Sequence, residues 1–512
     1  MVVEEPVACE VPAPGFGAMS GRDLALEIGS AETVSAGMSG VYAADLDADG
    51  DIDAILGGGY GGPRYLENNG SGELSDVAGQ IPMPYSGDRS ALTAVLADLD
   101  GDDRPELLTA SLGAILQYTN SEAGFLDPTY VWKSEMPYPI PGSMSLGDID
   151  GDGDLDLALG GLEWITEECQ LRHECGEDVP NLGSPLLLFE NTGAGTWGAP
   201  ESVYADGGPI YTFALTFTDR DGDGDQDLLV TQDQGFGGTT LAPPTIFFRN
   251  DDGILANDAQ DVSMDIQISG MGIAAWDLNA DGFYDYFLTD TGPIHCMVSD
   301  ATGWYDAGVA MGLTPAGVGD PNGWSGWSVV VEDLDNDGDL DVAATGGRPT
   351  GSFDGSTTYA DAIFERISAG EYVERSTDIG FDDPEDHFGM AAADFGGDGT
   401  LDLLISPSYG NPRYWQSECT AGAWTAIDLR GAPENTSAIG ASVEVWAGDL
   451  WFRRERSSTL SVGQSLTPLH FGLGDAEIIE GVRVSWPDGA VTELTDLPVR
   501  SRVTVNHPGR DE

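Results

Sequence analysis

Residues 148–161 read DIDGDGDLDLALGG, with aspartate at every second position from Asp148 to Asp156 and an apolar run directly after. Carboxylates two apart repel one another, and placing them at the mouth of a buried strand adds a desolvation cost. A divalent cation removes both penalties, because hard oxygen ligands at alternate positions can wrap Ca²⁺ in a flexible cage of about six to eight oxygens. The stretch reads as a metal loop.

The pattern D-x-[DN]-x-D-G-x-x-D recurs along the chain. Complete copies start at Asp45, Asp148, Asp219, Asp277 and Asp333, and degenerate ones at Asp98 and Asp394. Successive starts lie 50 to 71 residues apart, a period that marks a solenoid, propeller or array. In chain order these are loops 1 to 7.

Positions 1, 3 and 5 of each loop are expected to give side-chain oxygens, position 7 its backbone carbonyl, and position 9 a closing, bidentate carboxylate. The ligand sets are Asp45, Asp47, Asp49, Asp51 and Asp53; Asp98, Asp100, Asp102, Arg104 and Glu106; and Asp148, Asp150, Asp152, Asp154 and Asp156. They continue as Asp219, Asp221, Asp223, Asp225 and Asp227; Asp277, Asn279, Asp281, Phe283 and Asp285; and Asp333, Asp335, Asp337, Asp339 and Asp341. Loop 7 offers only Asp394, Asp398, Thr400 and Asp402, with Gly396 at position 3. Loop 2 closes on a glutamate and carries Asp103 where the others have glycine. Loops 2 and 7 are therefore the expected weak sites. Glycine at position 6 suits a sharp bend with positive φ.

Short apolar runs flank each loop, such as Val329 to Val331 before and Leu340 to Ala343 after. Such runs, bounded by Gly, Pro and Asp, are strands. A third strand follows in RYLENNGSG, LLLFENTGAG and IFFRNDDG, and a fourth, weaker one precedes the next copy. Four antiparallel strands repeated seven times predict an all-β fold, a seven-bladed β-propeller with a small C-terminal β-sandwich. An EF-hand needs glutamate at position 12 between two helices, but here that position holds Leu56, Leu159 and Val230 among strand sequence.

The chain has 88 acidic and 20 basic residues, for a formal charge of −68. Two charges from each of seven cations leave most of that excess in place, which disfavours nucleic acid and anionic membranes as partners. No run has the length and apolarity of a membrane span. The start, MVVEEPVACEVPAPG, lacks the basic and apolar regions of a secretory signal, so any such signal lies outside this chain. Calcium loops of this kind fill at extracellular calcium levels, which predicts a secreted or periplasmic protein. Cys169 and Cys175 sit in an insertion that stretches one interval to 71 residues, and a disulfide between them is expected, with a metal site using His173 as the alternative. Cys9 is placed to pair with Cys419, and Cys296 is left as a buried thiol.

With the repeats in view, segments such as WSVVVEDLDNDGDLDVAATGG resemble the FG-GAP or VCBS repeats of integrin α-subunit propellers. The tail, with IGASVEVWAG, HFGLGDAEIIEGVRVSWPDG and LPVRSRVTV, resembles the ASPIC/UnbV domain of the cartilage acidic protein family. That resemblance implies a secreted, calcium-binding protein without established catalysis. Vertebrate members carry a cysteine-rich module after this domain, and with Glu512 as the last residue here the resemblance leads to the expectation of a bacterial-type member. The expected domains are an N-terminal extension (1–19), the propeller (20–421) and the tail sandwich (422–508). Trp424 to Leu429 is the expected first tail strand, leaving a vacancy in the seventh blade that Leu24 to Ile28 would fill.

All seven acidic loops belong on one face of the disc. The opposite face carries glycine-rich loops with aromatics, and Tyr60, Trp164, Phe236, Trp324, Phe353 and Tyr409 are candidate contacts for an extracellular protein or glycan. No nucleophile elbow, phosphate loop or zinc pattern is present, and the histidines are scattered. The expectation is a monomeric, non-enzymatic binding module carrying about five to seven Ca²⁺, with a calcium-dependent polysaccharide lyase or hydrolase as the alternative.

Overall fold

The computed structural model describes residues 2–4, 17–24, 40–57, 62–77, 80–82, 93–134, 138–165, 183–203, 210–233, 243–300, 302–318, 324–347, 360–381, 383, 385–407, 411–459 and 462–510. Among these the regular secondary structure is almost wholly strand, with one short helix at Gly308–Met311.

Seven antiparallel sheets follow one another, each beginning with the strand that precedes an acidic loop. Their first strands are Val41–Ala44, Thr93–Ala97, Tyr138–Gly147, Thr212–Thr218, Ile273–Trp276, Ser325–Glu332 and His387–Ala393. Those first strands adjoin one another in order, and the seventh adjoins the first, so the sheets form a ring around a channel. Strands near the axis are buried on both faces; all seven residues of Thr212–Thr218 are buried. This explains why they read as continuous apolar runs rather than as alternating ones. The core is divided between the blades. Val95, Leu108 and Ile115 of the second sheet pack on Met144, Leu146 and Leu157 of the third, and Ala391 and Leu404 of the seventh pack on Val41 and Ala54 of the first.

The seventh sheet is completed by an N-terminal strand, but it is Met19–Asp23 that pairs with Arg413–Ser417. Of the expected Leu24 to Ile28, Leu24 follows directly on that strand. Leu24 donates its backbone N–H to Pro412, 2.9 Å away, and its side chain is buried in the core between the first and seventh sheets, while residues 25–28 fall outside the described residues. The polar sequence MSGRD gave no apolar signal, because an edge strand is exposed and its side chains need not be buried.

The tail comprises two four-stranded sheets. One holds Ser442–Ala447, Leu450–Glu455, Ile478–Ser485 and Val491–Pro498. The other holds Ala423–Arg430, Leu469–Gly474 and Ser501–Asn506, with Val2–Glu4 from the chain's own start added at its edge. The N-terminal stretch is thus a strand of the tail sheet followed by a strand of the ring.

Between Glu455 and Leu469 the tail leaves its sandwich and enters the channel. Gly463–Leu466 lies parallel to Val41–Ala44 as a fifth strand of the first sheet. Gln464 accepts from the Leu96 N–H at 2.7 Å and donates to the Leu96 carbonyl at 2.8 Å. The Ser458 hydroxyl accepts from the Leu146 N–H at 2.8 Å, the Thr459 hydroxyl donates to the Met144 carbonyl at 2.7 Å, and the Ser465 hydroxyl donates to the Ala392 carbonyl at 3.0 Å. Val462 packs with Phe213 and Met271. Short hydroxyl and amide side chains suit this path, since the inner strands present backbone groups that need partners.

Candidate metal centres

Each acidic loop is built by the same backbone device. Position 6 has positive φ in all seven: Gly50, Gly153, Gly224, Gly282, Gly338 and Gly399, with Asp103 at φ 68 in loop 2. Position 4 is left-handed as well, including the non-glycines Ala48, Ala280 and Asn336. Two left-handed residues separated by one ordinary residue turn the chain sharply, so alternate side chains point inward.

Aspartates at position 5 accept from the backbone N–H of position 7 in every loop, at 3.0 Å for Asp49 and 2.8 Å for Asp337. The position 1 carboxylate accepts from the position 6 N–H, as Asp148 does from Gly153 at 3.0 Å and Asp333 does from Gly338 at 2.7 Å. Position 9 is the buried anchor. One oxygen of Asp156 accepts from Ile149 N–H at 3.0 Å, the other from Asn191 N–H at 2.8 Å. Asp53, Glu106, Asp227, Asp285 and Asp341 repeat that pair of bonds. The position 9 carboxylate is thus oriented by its own blade, one oxygen toward the loop and one toward the third strand.

Positions 1, 3 and 9 converge in five loops: Asp45, Asp47 and Asp53; Asp98, Asp100 and Glu106; Asp148, Asp150 and Asp156; Asp219, Asp221 and Asp227; and Asp333, Asp335 and Asp341. In each set the carboxylate oxygens lie within 4.8 Å of one another. These acidic clusters can hold metal ions. Loop 2 is among them despite its departures, because Asp103 adopts the glycine conformation and the longer Glu106 still reaches both backbone partners.

Loops 5 and 7 differ. In loop 5 the Asn279 side-chain amide donates to Asp281 at 3.1 Å, and the Ser299 hydroxyl donates to Asp281 at 2.8 Å. In loop 7 Gly396 supplies no side chain, and Asp402 is held instead by the Tyr414 hydroxyl at 2.6 Å and Ser417 N–H at 2.9 Å.

Burial sets the electrostatics. It pushes the carboxyls of Asp53 and Asp156 up to about 7 and those of Glu106, Asp227 and Asp402 up to about 8, against the pull of their backbone donors. Burial and then the neighbouring Asp335 and Asp337 raise Asp333 well above the usual range. Buried carboxylate oxygens of Asp45, Asp154 and Asp335 have no hydrogen-bond partner. Leaving such an oxygen unsatisfied is costly, and a hard cation is the partner that carboxylates at this spacing fit.

Recurring asparagines at the end of the third strand were not identified as functional from sequence. The Asn68 amide donates to the Ile52 carbonyl and, at 2.9 Å, to Phe395 of loop 7. Asn120 donates to Leu46 of loop 1 at 2.7 Å, and Asn250 to Ile149 of loop 3 at 2.8 Å. Each staples its blade to the preceding blade's loop. The signal was the Asn repeated in RYLENNGSG, QYTNSEAG and IFFRNDDG.

The tail sits on the loop face. Arg454 forms a two-pronged pair with Glu332, one bond at 2.7 Å. Glu455 accepts from Asp219 N–H at 3.2 Å, Ser437 from Asp98 N–H at 2.9 Å, and Gly50 from Arg502 at 3.0 Å. His470, in HFGLG, meets the Asn336 side chain of loop 6 at 2.7 Å, and Asn336 in turn donates to Gly399 of loop 7 at 2.9 Å. Burial and then Arg454 drive the His470 pKa down to about 3, so the ring is neutral.

Of the six aromatics expected to offer a ligand face, Trp324 is a correction: it is 1% exposed and belongs to the core. Tyr60, Phe236, Phe353 and Tyr409 lie outside the described residues, as does the side chain of Trp164. Cys9, Cys169 and Cys175 lie outside them too, so neither expected disulfide is placed by the structure. Cys296 is a free, buried thiol. No helix among the described residues is long and apolar enough to cross a membrane.

Comparison with known proteins matches residues 431–512 to the ASPIC and UnbV family and residues 45–109 to the FG-GAP-like repeat. Cartilage acidic protein 1 of Xenopus tropicalis is 23% identical, covering 92% of this chain and 74% of its own. That of Mus musculus is 22% identical, covering 88% and 70%. Among solved structures, an Agrocybe aegerita lectin specific for non-reducing terminal N-acetylglucosamine aligns with a TM-score of 0.42 at 16% identity, over 78% of this chain and 96% of that one. BBS1N, solved in complex with ARL6DN, aligns with a TM-score of 0.44 at 9% identity, over 80% and 98%. The chain therefore joins FG-GAP-like repeats to an ASPIC and UnbV domain and is similar to the cartilage acidic proteins along most of its length.

Proposed function

We propose that this protein is a secreted or periplasmic, non-enzymatic binding module whose propeller is rigidified by Ca²⁺ in the acidic loops and engages an extracellular protein or glycan. The observation that carries the calcium reading is the convergence of three carboxylates in five loops together with unpartnered buried oxygens on Asp45 and Asp335. Oxygen-only donors on a flexible turn favour Ca²⁺ over Mg²⁺, which demands a stricter octahedron. In loops 1 to 6 the residues at positions 1, 3, 5 and 9 and the position 7 carbonyl would hold the ion, and in loop 7 the same set without position 3; the ion supplies positive charge that lets the carboxylates stay ionised while buried. Loops 5 and 7 offer fewer carboxylates and are the weaker sites.

The non-enzymatic reading is supported by the commitment of the clustered carboxylates to backbone N–H groups beneath the tail. The tail occupies the loop face, which leaves the opposite face and the rim for a partner. Counting bound calcium by native mass spectrometry tests the first part, with five ions expected and none refuting it. A glycan array and a pull-down from source surface extract, both calcium-replete, test the second; complete absence of binding in either counts against it.

A further inference from the structure

Loops 1 and 2 and the tail enclose a cavity of about 580 Å³, a size within the range of small-molecule sites. Its tail wall carries Arg430, Arg456 and Arg502 around Asp428, three guanidinium groups in a chain with only 20 basic residues. Arg430 lies 3.2 Å and Arg502 3.8 Å from the same Asp428 oxygen. Arg456 is 3% exposed; it donates to the Thr467 carbonyl, but its Nε is buried without a hydrogen-bond partner. Burial first of all, and then the neighbouring arginines against the pull of Asp428, lower its pKa to about 10. Arg430 and Arg502 thus share one carboxylate on this wall, and the neighbouring Arg456 is desolvated with a donor left over. A buried charge in that state calls for a counter-ion, and an oxyanion is what the planar guanidinium fork binds.

We infer that this cavity is a binding pocket for a small molecule bearing a carboxylate or sulfate group, whose oxygens are received by Arg456, Arg430 and Arg502. The inference rests on the calcium reading in one respect: Asp45, Asp49, Asp51, Asp98 and Asp103 on the facing wall repel an anion unless cations neutralise them.

The test is isothermal titration of the calcium-loaded full chain with sodium sulfate and, separately, sodium glucuronate. Saturable binding is expected, weakened about tenfold or more by Arg502→Gln and by Arg430→Gln. Arg456→Met should abolish it; because that residue is buried and its variant can misfold, the two more exposed arginines decide the outcome. Calcium uptake is measured on the same samples. Absence of heat with both anions up to about 10 mM in a protein that does take up calcium overturns the pocket while leaving the calcium reading intact. Equal affinity in wild type, Arg430→Gln and Arg502→Gln overturns it as well.

Discussion

Asn336 shows how much can hang on one side chain. It occupies the left-handed position 4 of loop 6 at φ 62, donates to Gly399 and Thr420, and receives His470 of the tail. Asn336→Ala removes three buried bonds and places alanine in a conformation that favours Asn and Gly. A loss of about 2–4 kcal/mol is expected in denaturant unfolding. At position 9, Asp156→Ala and Asp402→Ala should each cost about 2–4 kcal/mol, because both carboxylates are buried and hold backbone N–H groups. Only Asp156→Ala should also reduce the stabilisation gained on adding calcium, since Asp402 stands in the loop with Gly396 at position 3. Equal calcium responses in the two variants would contradict the assignment of loop 3 as a strong site.

At the scale of the element, the acidic turn is a pH-sensitive device that loses stability as pH rises. In the cation-free protein burial raises the position 9 carboxyls, that of Asp285 to about 6, Asp53 to about 7 and Glu106 to about 8, and that of Asp341 well up as well, above the value near 4 of an unfolded chain. A group raised on folding stabilises fully below its unfolded pKa, and that stabilisation is lost as pH rises through the folded value. Chelated protein should therefore melt at a higher temperature at pH 5 than at pH 8, and the gain from calcium should grow over the same interval. A differential scanning series with and without chelator checks this. The turns were legible in the sequence because ligand spacing and glycine are written residue by residue. The anchoring role of position 9 was not, since its partners, Asn191 for Asp156 and Asn68 for Asp53, lie just past a strand whose register only the sheet defines.

For the whole molecule, several loops filled together stabilise by mass action, each contributing about 2.7 kcal/mol at a free calcium level a hundredfold above its Kd. Chelation should lower the melting temperature sharply at neutral pH; unchanged melting would refute filled loops. Removing residues 422–512 should do more than delete a domain: without Gln464, Ser458 and Val462 the inner strands lose their channel partners, and the remaining ring should aggregate or melt well below the full chain. The periodic acids announced the ring long before its assembly was in view. The tail's course was hidden because 456–467, RSSTLSVGQSLT, has neither strand alternation nor a charge pattern, and its role depends on backbone groups brought together by all the blades.

The strand at Gly463–Leu466 has a kinetic corollary. Its partner, Val41–Ala44, is synthesised more than four hundred residues earlier, so the first sheet waits with an open inner edge until nearly the entire polypeptide has emerged. Pairings of such long sequence separation make folding slow, and the final rate-limiting event should be the threading of this late segment, visible in stopped-flow refolding as a phase that Gln464→Ala retards.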